Sequence, residues 1–123
     1  MRTMLKSKIH RARITDANID YEGSITIDSQ LMAEADILPY EQVDVLNVNN
    51  GTRLTTYAIE GSAGSGDICL NGAAARSGVK GDTIIIAAYC QVSEEEAHHH
   101  SPRIVHVNAR NAIAKDVSQS LLA

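Results

Sequence analysis

The chain has 123 residues, 44% of them apolar, and a formal net charge of −4. That length suits a single domain (1–123) with one core, and an acidic balance offers no basic face to nucleic acid. No apolar run nears the ~20 residues that span a bilayer, and Met1-Arg2-Thr3-Met4-Leu5-Lys6 lacks the apolar stretch of a signal peptide, so a cytoplasmic protein is expected.

In chain order, Lys6 to Ile14 and Tyr21 to Ile27 read as short strands. Asp28 or Ser29 can cap a short helix that runs through Ala35 and stops before Pro39. Gln42 to Val48 alternates, with Val43 and Val45, and Val48 as a further candidate, marking the buried side. The turn signal Asn49-Asn50-Gly51 follows, and Thr52 to Ile59 is the return strand of a hairpin. Gly61-Ser62-Ala63-Gly64-Ser65-Gly66 is a loop, and by composition the most flexible stretch. Thr83 to Val92 is a continuous apolar run of the kind buried on both faces of a sheet. Ser93 with Glu96 forms a capping-box pattern for one helical turn, and Arg103 to Asn108 is a last strand carrying Val105 and Val107. The tail from Ala109 to Ala123 has a weak stripe, Ile113, Val117 and Leu121, compatible with a docked helix or with disorder. Many short strands joined by Gly-rich turns predict a mainly β fold, a small barrel with short helices. With no Phe or Trp and only four Tyr, its core must be aliphatic. Such a core buries less area per residue, a deficit that oligomerisation would offset.

Ordinary catalytic templates find little purchase. Cys69 and Cys90 fit no metal spacing, and each lies in an apolar run, which favours buried free thiols over a disulfide. His98-His99-His100 are adjacent, so their side chains diverge, and a solvated loop is expected there rather than a metal site. His106 on its strand reads as structural. The Gly61–Gly66 loop has no following Lys-Ser/Thr and is no phosphate cradle. Three Gly-Ser bonds occur, at Gly23-Ser24, Gly61-Ser62 and Gly64-Ser65, and composition prefers none of them.

The flanks of the first bond change the reading. Tyr21-Glu22-Gly23-Ser24 resembles the self-cleavage site of the bacterial pyruvoyl-dependent aspartate 1-decarboxylases. Lys8-Ile9-His10-Arg11, Asn50-Gly51-Thr52-Arg53, Thr56-Tyr57-Ala58-Ile59, Asn71-Gly72-Ala73-Ala74-Ala75 and Gly81-Asp82 follow in family order, covering roughly Met1 to Glu96. His98 to Ala123 matches poorly. The resemblance implies a six-stranded double-psi β-barrel, assembled as a homotetramer with active sites between subunits. It implies self-cleavage into chains 1–23 and 24–123, with Ser24 converted to a covalent pyruvoyl group, no pyridoxal phosphate and no metal. The substrate would be L-aspartate and the product β-alanine, a precursor of pantothenate and coenzyme A.

Site roles carry over residue by residue. Gly23, Ser24 and Thr56 match the cleavage positions, and Tyr57 matches the proton donor. Lys8, Arg53, Thr56, Gly72, Ala73 and Ala74 match substrate-binding positions, and His10, Tyr21 and Asn71 other pocket positions. The chemistry agrees: an arginine fork suits a carboxylate, and a ketone can draw off electrons as carbon dioxide leaves. Leu46 departs from the pattern, standing where some relatives have Trp. On a regular strand Arg53 and Tyr57 share one face while Thr56 takes the other, so either a local bend or a pocket shared between subunits is required. Two rivals remain: a pyruvoyl decarboxylase of another amino acid, which would lack the paired cations, and a barrel that binds a partner and never cuts itself.

Overall fold

In the computed structural model, which describes residues 1–114, the secondary structure is mainly β. The strands are β1 (Arg2–Arg13), β2 (Asp16–Asn18), β3 (Ser24–Asp28), β4 (Gln42–Asn47), β5 (Arg53–Gly61), β6 (Ile68–Asn71), β7 (Thr83–Val92) and β8 (Arg103–His106). Two short helices, α1 (Ser29–Ala35) and α2 (Glu94–Ala97), and a 3-10 helix at Gly72–Ser77 complete the described residues. One mixed sheet contains all eight strands, in the order β2-β6-β3-β5-β4-β7-β1-β8. The two strands beyond the expected six are the short edge pieces β2 and β8, each paired in parallel with its neighbour.

Local chemistry explains the elements that form as expected. Asp28 caps α1, its carboxylate accepting from Gln30 N at 2.8 Å, and Asp36 ends the helix in the left-handed region. The Ser93–Glu96 capping box starts α2 in both of its reciprocal bonds. β4 and β5 pair antiparallel across the Asn-Asn-Gly turn. The apolar run of β7 lies between β4 and β1, with Ile84, Ile86, Ala87 and Ala88 buried. The core is aliphatic, built on Ile9, Ile14, Ile25, Ile27, Leu31, Val43, Val45, Ile68, Leu70, Ile84 and Ile86.

Several expectations need correction. The segment from Tyr21 is strand only from Ser24 onward, and Tyr21, Glu22 and Gly23 are exposed. Val48 points to solvent, because strict alternation after Val43 and Val45 puts Asn47 inside instead. The buried Asn47 amide is satisfied, donating to Ser77 O and Asp82 Oδ2 and accepting from Asn49 N. The thiols of Cys69 and Cys90 are free but only half-buried: Cys69 sits on the outward phase of β6, and Cys90, on the inward phase of β7, lies past the last buried residue, Ala88. The Gly61–Gly66 loop is tied down: the buried Asp28 carboxylate accepts from Gly64 N at 3.0 Å and Gly66 N at 2.8 Å. β8 stops at His106, and Val107 instead forms a bridge with Ile113. Ile113 therefore closes a turn as a bridge residue, while Val117 and Leu121 lie outside the described residues.

Candidate active site at Ser24

Ser24 opens β3 and is 1% exposed, whereas the three residues before it face solvent. The chain therefore passes from surface to core at the Gly23–Ser24 bond. Pairing of β3 with β6 puts Ser24 opposite Asn71. The Asn71 amide donates through Nδ2 to Ser24 Oγ and to Thr26 Oγ1, both at 2.9 Å. The Ser24 hydroxyl donates to the Glu22 carbonyl over a long 3.4 Å, so it folds back over the turn. Asn71 Oδ1 accepts from Cys69 Sγ at 3.2 Å, which sets the end of the amide that meets Ser24. Burial, and after it the Asp16 carboxylate, pushes the Cys69 thiol up, keeping it a protonated donor.

Gly72 packs against the same bond. Its φ is +60°, and a Cβ there would lie 2.7 Å from Gly23 N and 2.8 Å from Gly23 Cα and Tyr21 O. Only glycine fits that approach. Ala73 and Ala74 follow in the first turn of the 3-10 helix, whose N-cap Asn71 makes no side-chain cap, its Oδ1 accepting from Cys69 Sγ instead. The first N–H groups of that turn are left without a cap.

β5 alternates from Arg53 to Ala58. Arg53, Thr55 and Tyr57 face outward, and Leu54, Thr56 and Ala58 inward. The parallel pairing of Ile25 with Ala58 brings Tyr57 alongside Ser24 at the head of the two strands. An open cleft of about 560 Å³ forms there, lined by Tyr21, Ser24 and Tyr57 together with Glu22, Glu60, Ile59 and the Pro39–Tyr40 pair. Three predicted residues thus meet in one cleft.

The predicted cations do not join them. Arg53 is four residues from Tyr57, roughly 13 Å along a strand. Lys8 is paired with Ala87, Ala87 with Asp44 and Asp44 with Thr55, so three strand spacings, roughly 14 Å, separate Lys8 from β5. Both lie on Tyr57's face of the sheet, and Thr56 on the other. Among the described residues, no Lys, Arg or His lines the Ser24 cleft, which instead carries two carboxylates. His10 lines a second cavity of about 440 Å³ with Arg11, Arg13 and His106, the two imidazoles 5.5 Å apart at 74°. Burial, followed by Lys8 and His106, pulls the His10 pKa down. His98 and His99 are exposed, and His100 turns away to the Leu5 carbonyl, so the triplet diverges as expected. Sequence reading missed Tyr40, Glu60 and Cys69. A Pro-Tyr pair after a helix reads only as loop, and Cys69 shows its role only once β6 places it beside Asn71.

Comparison with known proteins identifies the family. The chain matches the aspartate decarboxylase family over residues 1–114, beyond the Glu96 limit set by motifs alone. It is 70% identical to an aspartate 1-decarboxylase of Dehalococcoides mccartyi (strain CBDB1) over 112 residues, 91% of this chain and 90% of that protein. It is 60% identical to the aspartate 1-decarboxylase of Syntrophobacter fumaroxidans over 122 residues, 99% of this chain and 96% of that one. The corresponding protein of Thermoanaerobacter pseudethanolicus is 59% identical over 110 residues, 89% of this chain and 94% of the relative.

Proposed function

The chain belongs to the aspartate decarboxylase family, and we propose that its Ser24 cleft, once the Gly23–Ser24 bond is cut, is where L-aspartate loses its C1 carboxylate. The protein is an aspartate 1-decarboxylase of a pyruvoyl-dependent family, giving β-alanine and carbon dioxide. The observation that carries the site assignment is the buried Ser24 hydroxyl, held by Asn71 at 2.9 Å and folded back over a turn against which Gly72 packs. Gly61-Ser62 and Gly64-Ser65 have no such setting, as both serines are exposed.

These residues fit formation of a pyruvoyl group in place. Ser24 Oγ adds to the Gly23 carbonyl carbon, the Gly23–Ser24 C–N bond breaks, and an ester links Gly23 to Oγ. Elimination then releases Gly23 as a carboxylate, ending chain 1–23, and leaves dehydroalanine at position 24. Water adds, ammonia leaves, and chain 24–123 begins with the ketone. Gly23 carries no side chain to crowd its own carbonyl carbon. Asn71 holds the hydroxyl, and Thr56 assists from the inner face of β5.

Once formed at position 24, the pyruvoyl ketone would supply an electrophile for the substrate amine and an electron sink for the loss of carbon dioxide. Tyr57 holds the proton that replaces the carboxylate at the substrate's Cα. The uncapped N–H groups of Gly72, Ala73 and Ala74 bind a substrate oxygen. Tyr21 contributes to the pocket wall, and His10, which lines the other cavity of its own copy, joins the site only from a second copy.

Aspartate carries two carboxylates, and a cleft lined by Glu22 and Glu60 would repel it. Cations must come from elsewhere, and Arg53 and Lys8 of this copy stand on the same sheet face but away from Ser24. A second copy therefore completes the site, in a homotetramer. The outer face beside Arg53 carries half-buried Leu46 and Ile85, apolar surface suited to such a contact. Regular alternation from Arg53 to Ala58 favours a shared pocket over a local bend as the way to reconcile Arg53 with Thr56. We also infer a closed barrel of the double-psi kind: β1 at one side of the sheet runs within three residues into β2 at the other, and Thr15 N bonds Ile68 O at 2.8 Å. No helix among the described residues is long and apolar enough to cross a membrane, and a cytoplasmic place in pantothenate synthesis suits the reaction.

Co-expression of two inactive variants tests the shared site. Tyr57→Phe should still cut itself yet lose about 10²- to 10⁴-fold in decarboxylation, and Arg53→Ala should fail on substrate binding. Mixed assemblies of the two should regain part of the activity if Arg53 and Tyr57 of one site come from different copies. Activity no higher than that of either variant alone would place both in one copy and refute the arrangement.

A further inference from the structure

Tyr40 stands out as a bulky residue in the left-handed region, at φ +71°, with 76% of its surface exposed. That backbone region disfavours large side chains, and so exposed a ring gains little core packing in exchange. The chain nevertheless braces the segment that carries it. Lys6 Nζ donates to Asp36 O and to Glu41 Oε2, each at 2.6 Å, from a position only 22% exposed. Glu41 Oε1 accepts from Leu38 N at 2.9 Å. Tyr40 N donates to Ala58 O at 2.7 Å, and Ala58 N to Glu41 O at 3.0 Å. These last two bonds clamp the loop onto β5 at the residue after Tyr57.

The result is an aromatic pair at the cleft mouth. The Tyr40 and Tyr57 rings have centroids 6.4 Å apart and planes tilted by 36°, inside the range of attractive ring contacts. Tyr57 is 36% exposed. We propose that Tyr40 is a positioning residue for Tyr57: its ring confines the Tyr57 phenol to the orientation that faces Ser24. This rests on the reading above that Tyr57 delivers the proton, and it assigns to Tyr40 no contact with the reacting atoms. A strained backbone at an exposed site, over-determined by its neighbours, is the pattern expected where conformation serves function.

Tyr40→Asn removes the ring while keeping a residue that tolerates the left-handed region, so thermal stability should hold or rise. Self-cleavage should proceed unchanged, kcat should fall about five- to tenfold and KM for aspartate should shift less than twofold. Tyr40→Phe keeps the ring and should restore most of kcat. Independent of turnover, ring-labelled tyrosine NMR of the uncut Ser24→Ala protein should give cross-relaxation between the two rings. It should also show Tyr57 signals that shift and average in Tyr40→Asn. Unchanged kcat and unchanged Tyr57 signals in Tyr40→Asn would overturn the inference, as would a Tyr40→Phe variant no better than Tyr40→Asn. Dissociation of Tyr40→Asn on a sizing column would make Tyr40 an interface residue instead, and overturn it too. Should Tyr57→Phe retain full activity, the failure lies with the proton-donor reading and not with the ring contact seen by NMR.

Discussion

Replacing Gly72 by alanine puts the packing behind self-cleavage to a quantitative test. The new Cβ would sit 2.7 Å from Gly23 N, whereas ordinary contact begins near 3.5 Å, so the Tyr21–Gly23 turn must withdraw by roughly 0.8 Å. A displacement near 1 Å at reacting atoms costs up to ~10²-fold in rate. The φ of +60° adds about 1–2 kcal/mol of backbone strain for any L side chain. Gly51→Ala separates the two effects. Gly51 has φ +76° with nothing within 4 Å of a would-be Cβ, so it carries the strain without the collision. Freshly made protein would be sampled over time by intact mass under denaturing conditions. Gly72→Ala should cut about ten- to a hundredfold more slowly than the parent, and Gly51→Ala at the parental rate. Parental cutting by Gly72→Ala would refute the claim that the close approach of Gly72 to Gly23 holds the scissile turn.

Two further outcomes follow from polar groups whose partners are visible. Asp28→Ala strips one buried carboxylate from Gln30 N, Gly64 N and Gly66 N. Urea unfolding on the Ser24→Ala background should show a loss of about 3 kcal/mol, and a loss under ~1 kcal/mol would mean the loop does not depend on it. His10 has its pKa lowered below 6.5, chiefly by burial, so the folded state favours the neutral ring. Its contribution is present above the unfolded pKa and is lost as pH falls through the folded value. Stability should therefore decline on acidification below about pH 6.5, and His10→Gln should flatten that slope in matched unfolding curves. An unchanged slope would remove His10 as the cause.

Elements set by local chemistry were legible in the sequence. The Asp28 cap, the Ser93–Glu96 box and the Asn-Asn-Gly hairpin each depend on residues a few positions apart. β2 and β6 were not, because three- and four-residue strands carry too little periodicity and form only through partners elsewhere in the chain. Val48 misled because apolar character alone does not fix strand phase, and Asn47 was rescued by three polar partners that sequence could not supply. At the site, Ser24 and Tyr57 came together as expected. Arg53 and Lys8 did not, since strand spacing keeps them apart within one copy. Tyr40 escaped notice because its meaning lies in a backbone angle and a ring contact, neither of which composition records.

The central claim is that this chain makes its own reactive ketone at Ser24. An intact mass spectrum of the purified, denatured protein tests it most directly. The wild type should give two chains, 1–23 and 24–123, the larger lighter by one ammonia than the sequence beginning at Ser24, and Ser24→Ala a single uncut chain. A wild-type chain that stays whole even after prolonged warming, or one cut at Gly61-Ser62 or Gly64-Ser65, would contradict it.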